Sequence, residues 1–243
     1  MIRCALLIGV VSACGGKSAP AKEPVTVVSA RPTTRVPVDE PPEEEGVTVV
    51  NARGHMELDV IDAGLTPHND ELTDCYMSKV NRRRWLGGHV VLKWDIKKDG
   101  TVTAVKLVES DLGNWPIEKC LLEVARSAAF GKPVGGDADF SVPLDFTAKG
   151  KLVSWAEDKG LKAVGGQTVK LDACAKGKIR APSDVTVTVY VGPAGKAQSV
   201  GFASAKTLID DAWGDCAEKA AMAWRLPDPK GIVAKLAIKY RAQ

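Results

Sequence analysis

An α+β fold built twice is what this sequence predicts, and three observations predict it. One order of strands and helices occurs in two stretches of the chain. Each stretch encloses its own pair of cysteines. Runs of period two alternate with stripes of helical period, as expected when helices cover one face of an antiparallel sheet. Aligning Gly100 with Gly195 sets Val90-Val91-Leu92-Lys93-Trp94 against Val185-Thr186-Val187-Thr188-Val189. Cys75 stands 25 residues before its glycine and Cys174 stands 21 before its own, while Cys120 and Cys216 follow at 20 and 21. Phe130-Gly131-Lys132-Pro133 answers Trp224-Arg225-Leu226-Pro227. The 243 residues therefore divide into a leader at 1–13, a tether at 14–55, a first copy at 56–147, a linker at 148–167 and a second copy at 168–243.

The leader has a positive start, Met1-Ile2-Arg3, then an apolar run from Cys4 to Ala13, with Val11-Ser12-Ala13 before Cys14. It resembles a bacterial lipoprotein signal with its lipobox. That resemblance implies cleavage before Cys14, lipid on Cys14, and attachment to the bacterial outer membrane at its periplasmic face. About ten apolar residues are too few to span hydrocarbon of roughly 30 Å. From Gly15 to about Gly54 the composition turns to Pro, Lys, Glu, Thr and Val, with Pro41-Pro42-Glu43-Glu44-Glu45 the stiffest and most charged part. This reads as a tether.

In the first copy a helix is predicted from Asn69 to Arg84, with Leu72, Cys75, Tyr76 and Val80 on one face. A strand follows with Val90, Leu92, Trp94 and Ile96 inward, and Asp99-Gly100 supplies a hairpin turn. The returning strand runs from Thr101 to about Glu109. Asn114 caps the next helix, whose stripe is Ile117, Cys120, Leu121, Val124 and Ala128, with Pro116 tolerated in the first turn. Phe140, Val142, Leu144 and Phe146 alternate in a last strand, and Pro143, lacking an N–H, places it on an edge. The second copy repeats this: a short helix near 169–178, a strand bearing Val185, Val187, Val189 and Val191, the turn Gly192-Pro193-Ala194-Gly195, a helix presenting Ile209, Trp213, Cys216, Ala220 and Trp224, and a strand alternating Ile232, Ala234, Leu236, Ile238 and Tyr240. Each copy is thus αββαβ, a three-stranded antiparallel sheet packed on helices. The linker, rich in Gly and Lys, carries Trp155 and Leu161 and is expected to be partly ordered.

Gly88-His89-Val90-Val91-Leu92-Lys93-Trp94-Asp95-Ile96 with Asp99-Gly100, Val108-Glu109-Ser110, Glu118-Lys119-Cys120, Phe130 and Pro133-Val134-Gly135-Gly136 resemble the C-terminal domain of TonB-type energy transducers, in its AgmX/PglI gliding-motility variant. The resemblance covers 70–146 well; over 168–240 it is degenerate, and the second copy rests on the internal repeat. It implies a binding module that engages an envelope protein or peptidoglycan through sheet edges, with no catalytic residue to carry over. Asp139, Ser141 and Asp145 on the last strand of the first copy, and Lys235 and Lys239 on that of the second, are the candidate edge-binding residues. The transducers contact an ion-driven motor through a transmembrane helix; the lipid anchor implied at Cys14 replaces it here, which argues against energy transduction. In the tether, Val25-Thr26-Val27-Val28-Ser29-Ala30-Arg31 and Val47-Thr48-Val49-Val50-Asn51-Ala52-Arg53 match at six of seven positions. Both resemble the short box that such domains bind as an added strand, so strand addition by 25–31 and 47–53, in cis or in trans, stands beside the reading of both as ordinary tether.

With Cys4 lost and Cys14 lipidated, Cys75, Cys120, Cys174 and Cys216 form two pairs with none left over. Zinc is the other use of four core cysteines, but their successive gaps are 45, 54 and 42 residues, unlike the close ligand pairs of structural zinc sites. No metal or other cofactor is expected. Loss of Arg3 takes 33 basic residues to 32 against 30 acidic ones, a net charge of +2, which leaves no bulk footprint for nucleic acid. His55, His68 and His89 are the only histidines, and the second copy has none. Asp95, Asp99 and Glu109 fit strand phase and turn chemistry. Arg82-Arg83-Arg84 reads as cations at a helix end, or as a contact with anionic head groups or wall carboxylates. The expectation is a non-enzymatic periplasmic lipoprotein. Two rivals are a structural tandem whose copies pair edges into one continuous sheet, and a periplasmic enzyme using a cleft between the copies.

Overall fold

Residues 53–80 and 82–242 are described from a computed structural model. Cys14, segment 25–31 and residues 47–52 of the second repeat lie outside the described residues. The first copy opens with a helix that the sequence pattern did not show, α1 (Leu58–Leu65), followed by a 3₁₀ turn over Thr66–His68 and helix α2 (Asn69–Val80). Gly64 lets α1 lie directly on Phe130: a Cβ there would come within 2.4 Å of the ring. Helix α2 ends at Val80 rather than Arg84. The chain turns back at once, with Arg83 N–H donating to Val80 O and Leu86 N–H to Arg83 O. This turn delivers Leu86 to the core with no exposed surface, where its carbonyl accepts from the Tyr76 hydroxyl at 2.9 Å.

Strand β1 (Gly88–Ile96), strand β2 (Val102–Ser110), helix α3 (Trp115–Ser127) and strand β3 (Ala138–Phe146) complete the first copy. Its sheet is antiparallel in the order β2-β1-β3. Gly100, at φ 93°, makes the hairpin turn. Val90, Leu92, Trp94 and Ile96 are buried together, as the alternation predicted. Trp94 stacks on Phe140 at 5.1 Å and donates its indole N–H to Ala125 O at 2.9 Å, locking sheet to helix. Asn114 caps α3 by accepting from Ile117 N–H.

In the second copy the stretch 148–167 is part of the fold. Strand β4 (Leu152–Ser154), helix α4 (Glu157–Val164), a 3₁₀ turn and helix α5 (Val169–Asp172) precede strand β5 (Val185–Val191), strand β6 (Ala197–Ser204), helix α6 (Asp211–Met222) and strand β7 (Val233–Tyr240). The sheet order is β4-β7-β5-β6, and β4 runs parallel to β7 while the other pairs are antiparallel. The expected three strands are present and a fourth is added. Its anchor is Trp155, buried, whose N–H donates to Lys235 O at 2.8 Å. Helix, 3₁₀ turn and helix precede the first hairpin of both copies, so the repeat is longer than the aligned stretches. Helix α5 is one turn long, shorter than expected: past Asp172 the chain passes into turns in which Cys174 N–H donates to Leu171 O and Ala175 N–H to Asp172 O. Ile232 stays 46% exposed just outside β7 instead of opening it.

Both expected disulfides are present. Cys75–Cys120 joins α2 to α3, and Cys174–Cys216 joins the turn just after α5 to α6, across 45 and 42 residues. The copies lie within one compact unit, Val49–Gln243, but their sheets do not merge into one. After Ser110 the chain leaves β2 and lays Asp111–Trp115 across the outer face of the second sheet, which forbids edge-to-edge pairing there.

Candidate functional site

Two places carry the surface chemistry, the free edge of β3 and the joint between the copies. Among the described residues, strand β3 has no strand on its outer side. Asp139, Ser141 and Asp145 lie in its outward phase, opposite Asp95, Lys93 and His89 of β1. Asp139 pairs with Lys93 at 2.6 Å and with Arg53 at 3.0 Å; the Lys93 ammonium, helped by Arg53, holds its carboxyl below the ordinary value of 3.8. Asp145 meets His89 Nδ1 at 2.8 Å. Asp95 points outward to Lys106 at 2.6 Å. This face is a lattice of cross-strand ion pairs in solvent, where each pair contributes little by itself. Gly54 N–H donates to Asp137 O, and His55 bridges antiparallel to Val134, so the chain enters the described structure beside the start of β3.

The second-copy candidates stand differently. Strand β4 covers the edge of β7 from Val233 to Lys235, and the Lys235 ammonium turns toward the first copy, to Asp111 at 2.9 Å and over the Tyr190 ring at 5.5 Å. Lys235 is therefore not on a free edge; the linker that the sequence left as a joint became the covering strand. Lys239 lies beyond β4, exposed, donating to Thr186 Oγ1 at 2.6 Å. The three histidines meet three separate carboxylates: His55 with Glu57, His68 with Glu71 and His89 with Asp145.

The joint was not anticipated. Of the six polar side chains buried among the described residues, five lie here: Ser110, Asn114, Glu118, Thr188 and Ser199, with Ser204 the exception. Glu118 projects from α3 with no exposed surface. Its Oε1 accepts from Ser110 Oγ at 2.6 Å and Gly113 N–H at 3.1 Å, and its Oε2 accepts from Phe202 N–H of the second copy at 2.8 Å. Burial pushes its carboxyl up to about 7, against the pull of those donors. Asn114 Nδ2 donates to Ser199 Oγ at 2.8 Å, and Ser199 in turn to Gly113 O at 2.6 Å. Gly201 is what lets β6 come so close, since a Cβ would sit 2.4 Å from both Glu118 oxygens. Trp115 lies flat on Gly214 and donates to Asp215, which also holds Lys119 at 2.8 Å. The Tyr190 hydroxyl donates to Gly87 O at 2.8 Å. A signal was present in the sequence: Glu118 shares the 118, 121, 122, 125 face of α3 with Leu121, Leu122 and Ala125, and a carboxylate on an apolar face needs buried partners.

Where β2 and the second copy diverge, a groove of about 810 Å³ opens. Its walls are the start of β2, Lys178 and Arg180 from the loop after α5, and Leu208 to Ala212 leading into α6. Among the described residues there is no group of three or more His, Cys, Asp or Glu side chains placed to hold a metal ion. Comparison with known proteins finds no matching family model, no matching curated relative and no matching solved structure.

Proposed function

We propose that this chain is a non-enzymatic lipoprotein of the bacterial envelope, anchored through Cys14 at the periplasmic face of the outer membrane, and that its two TonB-like copies present sheet edges to a protein or peptidoglycan partner. One observation carries the reading: β3, nine residues from Ala138 to Phe146, is a full-length strand with one side left unpaired among the described residues. Unpaired backbone donors and acceptors along such an edge are a ready template for an added strand. The oxidised cysteine pairs suit an oxidising compartment such as the periplasm. A second surface feature fits an anionic envelope: Lys149 N–H and Gly150 N–H both donate to Arg84 O, gathering Arg82, Arg83, Arg84, Lys149 and Lys151 at one place.

Crosslinking in intact cells, followed by affinity capture of the full chain, tests the proposal. Recovery of a discrete envelope protein or of wall fragments, reduced by Pro substitutions along β3, is the expected result. Capture of neither, from cells in which the protein is abundant and correctly oxidised, overturns it.

A further inference from the structure

We infer that the groove beside β2 binds an extended acidic polypeptide segment, added as a strand to the β2 edge at Val102–Val105. This rests on the sheet-edge reading above and assigns it an edge and a partner chemistry that the sequence did not suggest.

The first argument is backbone supply. Strand β2 is the terminal strand of its sheet, and among the described residues Val102 to Val105 make no backbone hydrogen bond outside the β1–β2 hairpin. A bulge skips Thr103 in the ladder to β1, which kinks the strand at the groove. This stretch, at about 3.3 Å per residue, is roughly 13 Å long.

The second argument is defence. Edges that must stay unpaired carry charges or proline. The stretch Val102-Thr103-Ala104-Val105 carries no charge and no proline.

The third is charge. Arg126 lies in the groove but is held by Asp211 in two bonds of 2.9 and 3.1 Å, and the Asp210 carboxylate caps α6 by accepting from Ala212 and Trp213 N–H. Lys178 and Arg180 are exposed and meet no carboxylate among the described residues. Although the lining carries three cations against two carboxylates, both unengaged charges are positive, so an incoming strand with carboxylates on one face is complementary. Leu208, 52% exposed on the same wall, offers contact to an apolar residue of the alternate phase.

The test uses the full oxidised chain and a labelled synthetic peptide of alternating Glu and Val. Anisotropy reads binding, and hydrogen exchange reads location. The expected outcome is saturable binding that slows exchange within 102–105, weakens roughly tenfold in the Lys178→Glu/Arg180→Glu double variant, and disappears when alternate peptide nitrogens are methylated. The substituted residues are exposed, and an unchanged circular dichroism spectrum establishes that the variant is folded. Absence of binding, or binding that the double variant leaves unaltered, overturns the inference. Protection at 138–146 instead of 102–105 overturns it too while leaving the β3 reading intact. Protection of 102–105 by a disaccharide-peptide wall fragment, with the acidic peptide inert, rejects the acidic-polypeptide assignment.

Discussion

Glu118 shows most directly how one side chain can tie two copies of a fold together. Its three donors come from both copies, two from Ser110 and Gly113 and one from Phe202. Removing the carboxylate leaves buried donors without acceptors, which is costlier than the bonds themselves are favourable. Its proton affinity follows from the same burial. The folded carboxyl titrates near 7, above its ordinary 4.5, so the folded chain binds the proton more tightly than the unfolded chain does. Between those values stability falls as pH rises, by about 3 kcal/mol in total. Glu118→Gln removes the titration and sets an amide NH2 against either the Phe202 N–H or the Ser110 and Gly113 donors, which lose their acceptor. The variant is therefore expected to be less stable throughout, by about 1 to 3 kcal/mol, but with a smaller difference in Tm between about pH 5 and about pH 8. Thermal melts of both proteins at the two pH values measure this. Equal pH dependence in the two would mean that the joint admits water to the carboxylate. Glu218, whose carboxyl is also raised by burial, remains in both proteins and cancels in the comparison.

At the scale of elements, the two disulfides look equivalent but support unequal helices. Cys75–Cys120 fastens a helix of 12 residues, whereas Cys174–Cys216 fastens the turn that follows α5, a helix of four. Each closure is worth up to about 4 kcal/mol in the chain-entropy picture. A single turn cannot sustain itself, because nucleation is unfavourable and only propagation repays it. Loss of the second bridge, as Cys174→Ser/Cys216→Ser, is therefore expected to release amides at 169–172 to rapid exchange. Loss of the first, as Cys75→Ser/Cys120→Ser, should lower Tm by roughly 10 °C while α2 keeps its protection. Retained protection at 169–172 without its bridge would show that Leu171, fully buried, suffices to hold the turn. These cysteine pairs were legible because helical spacing put all four on apolar stripes and the repeat paired them. The strands of both hairpins were legible through period two and the turn glycines. Helix α1 was not, because Val60, Ile61 and Leu65 cover only a narrow stripe beside the exposed Leu58, 78% accessible. Strand β4 was not, because three residues are too few to establish a period, and its partner β7 is about 80 residues away in the chain.

Across the whole molecule, the duplication has produced two sheets with different obligations. The outer face of the first sheet carries Lys93, Asp95, Asp139 and Asp145 and meets solvent. The corresponding face of the second carries Thr188 and Tyr190, both buried under the first copy. Strand β5, Val185-Thr186-Val187-Thr188-Val189-Tyr190-Val191, has no charge in either phase, the mark of a strand covered on two sides; the sequence carried that sign, but only a known partner surface gives it meaning. One apolar core runs through both copies, from Met56 to Tyr240. Around it Trp115, Glu118, Arg126–Asp211, Lys119–Asp215 and Lys235–Asp111 cross the joint. Separation would uncover Trp115, Tyr190 and Phe202 together with Glu118, so neither copy is expected to persist when the other opens. Calorimetry of the oxidised full chain should give one transition with equal calorimetric and van't Hoff enthalpies. Trp115→Ala removes the ring that fills the space over Gly214, at about 3 to 5 kcal/mol, and that loss falls on the joint more than on either sheet. The single endotherm should then broaden or divide, with exchange protection of 185–191 lost at a lower temperature than that of 88–96, because the second sheet depends on the first for its outer cover. Two transitions in the unsubstituted protein would show instead that the copies fold separately and that the Glu118 cluster forms after them.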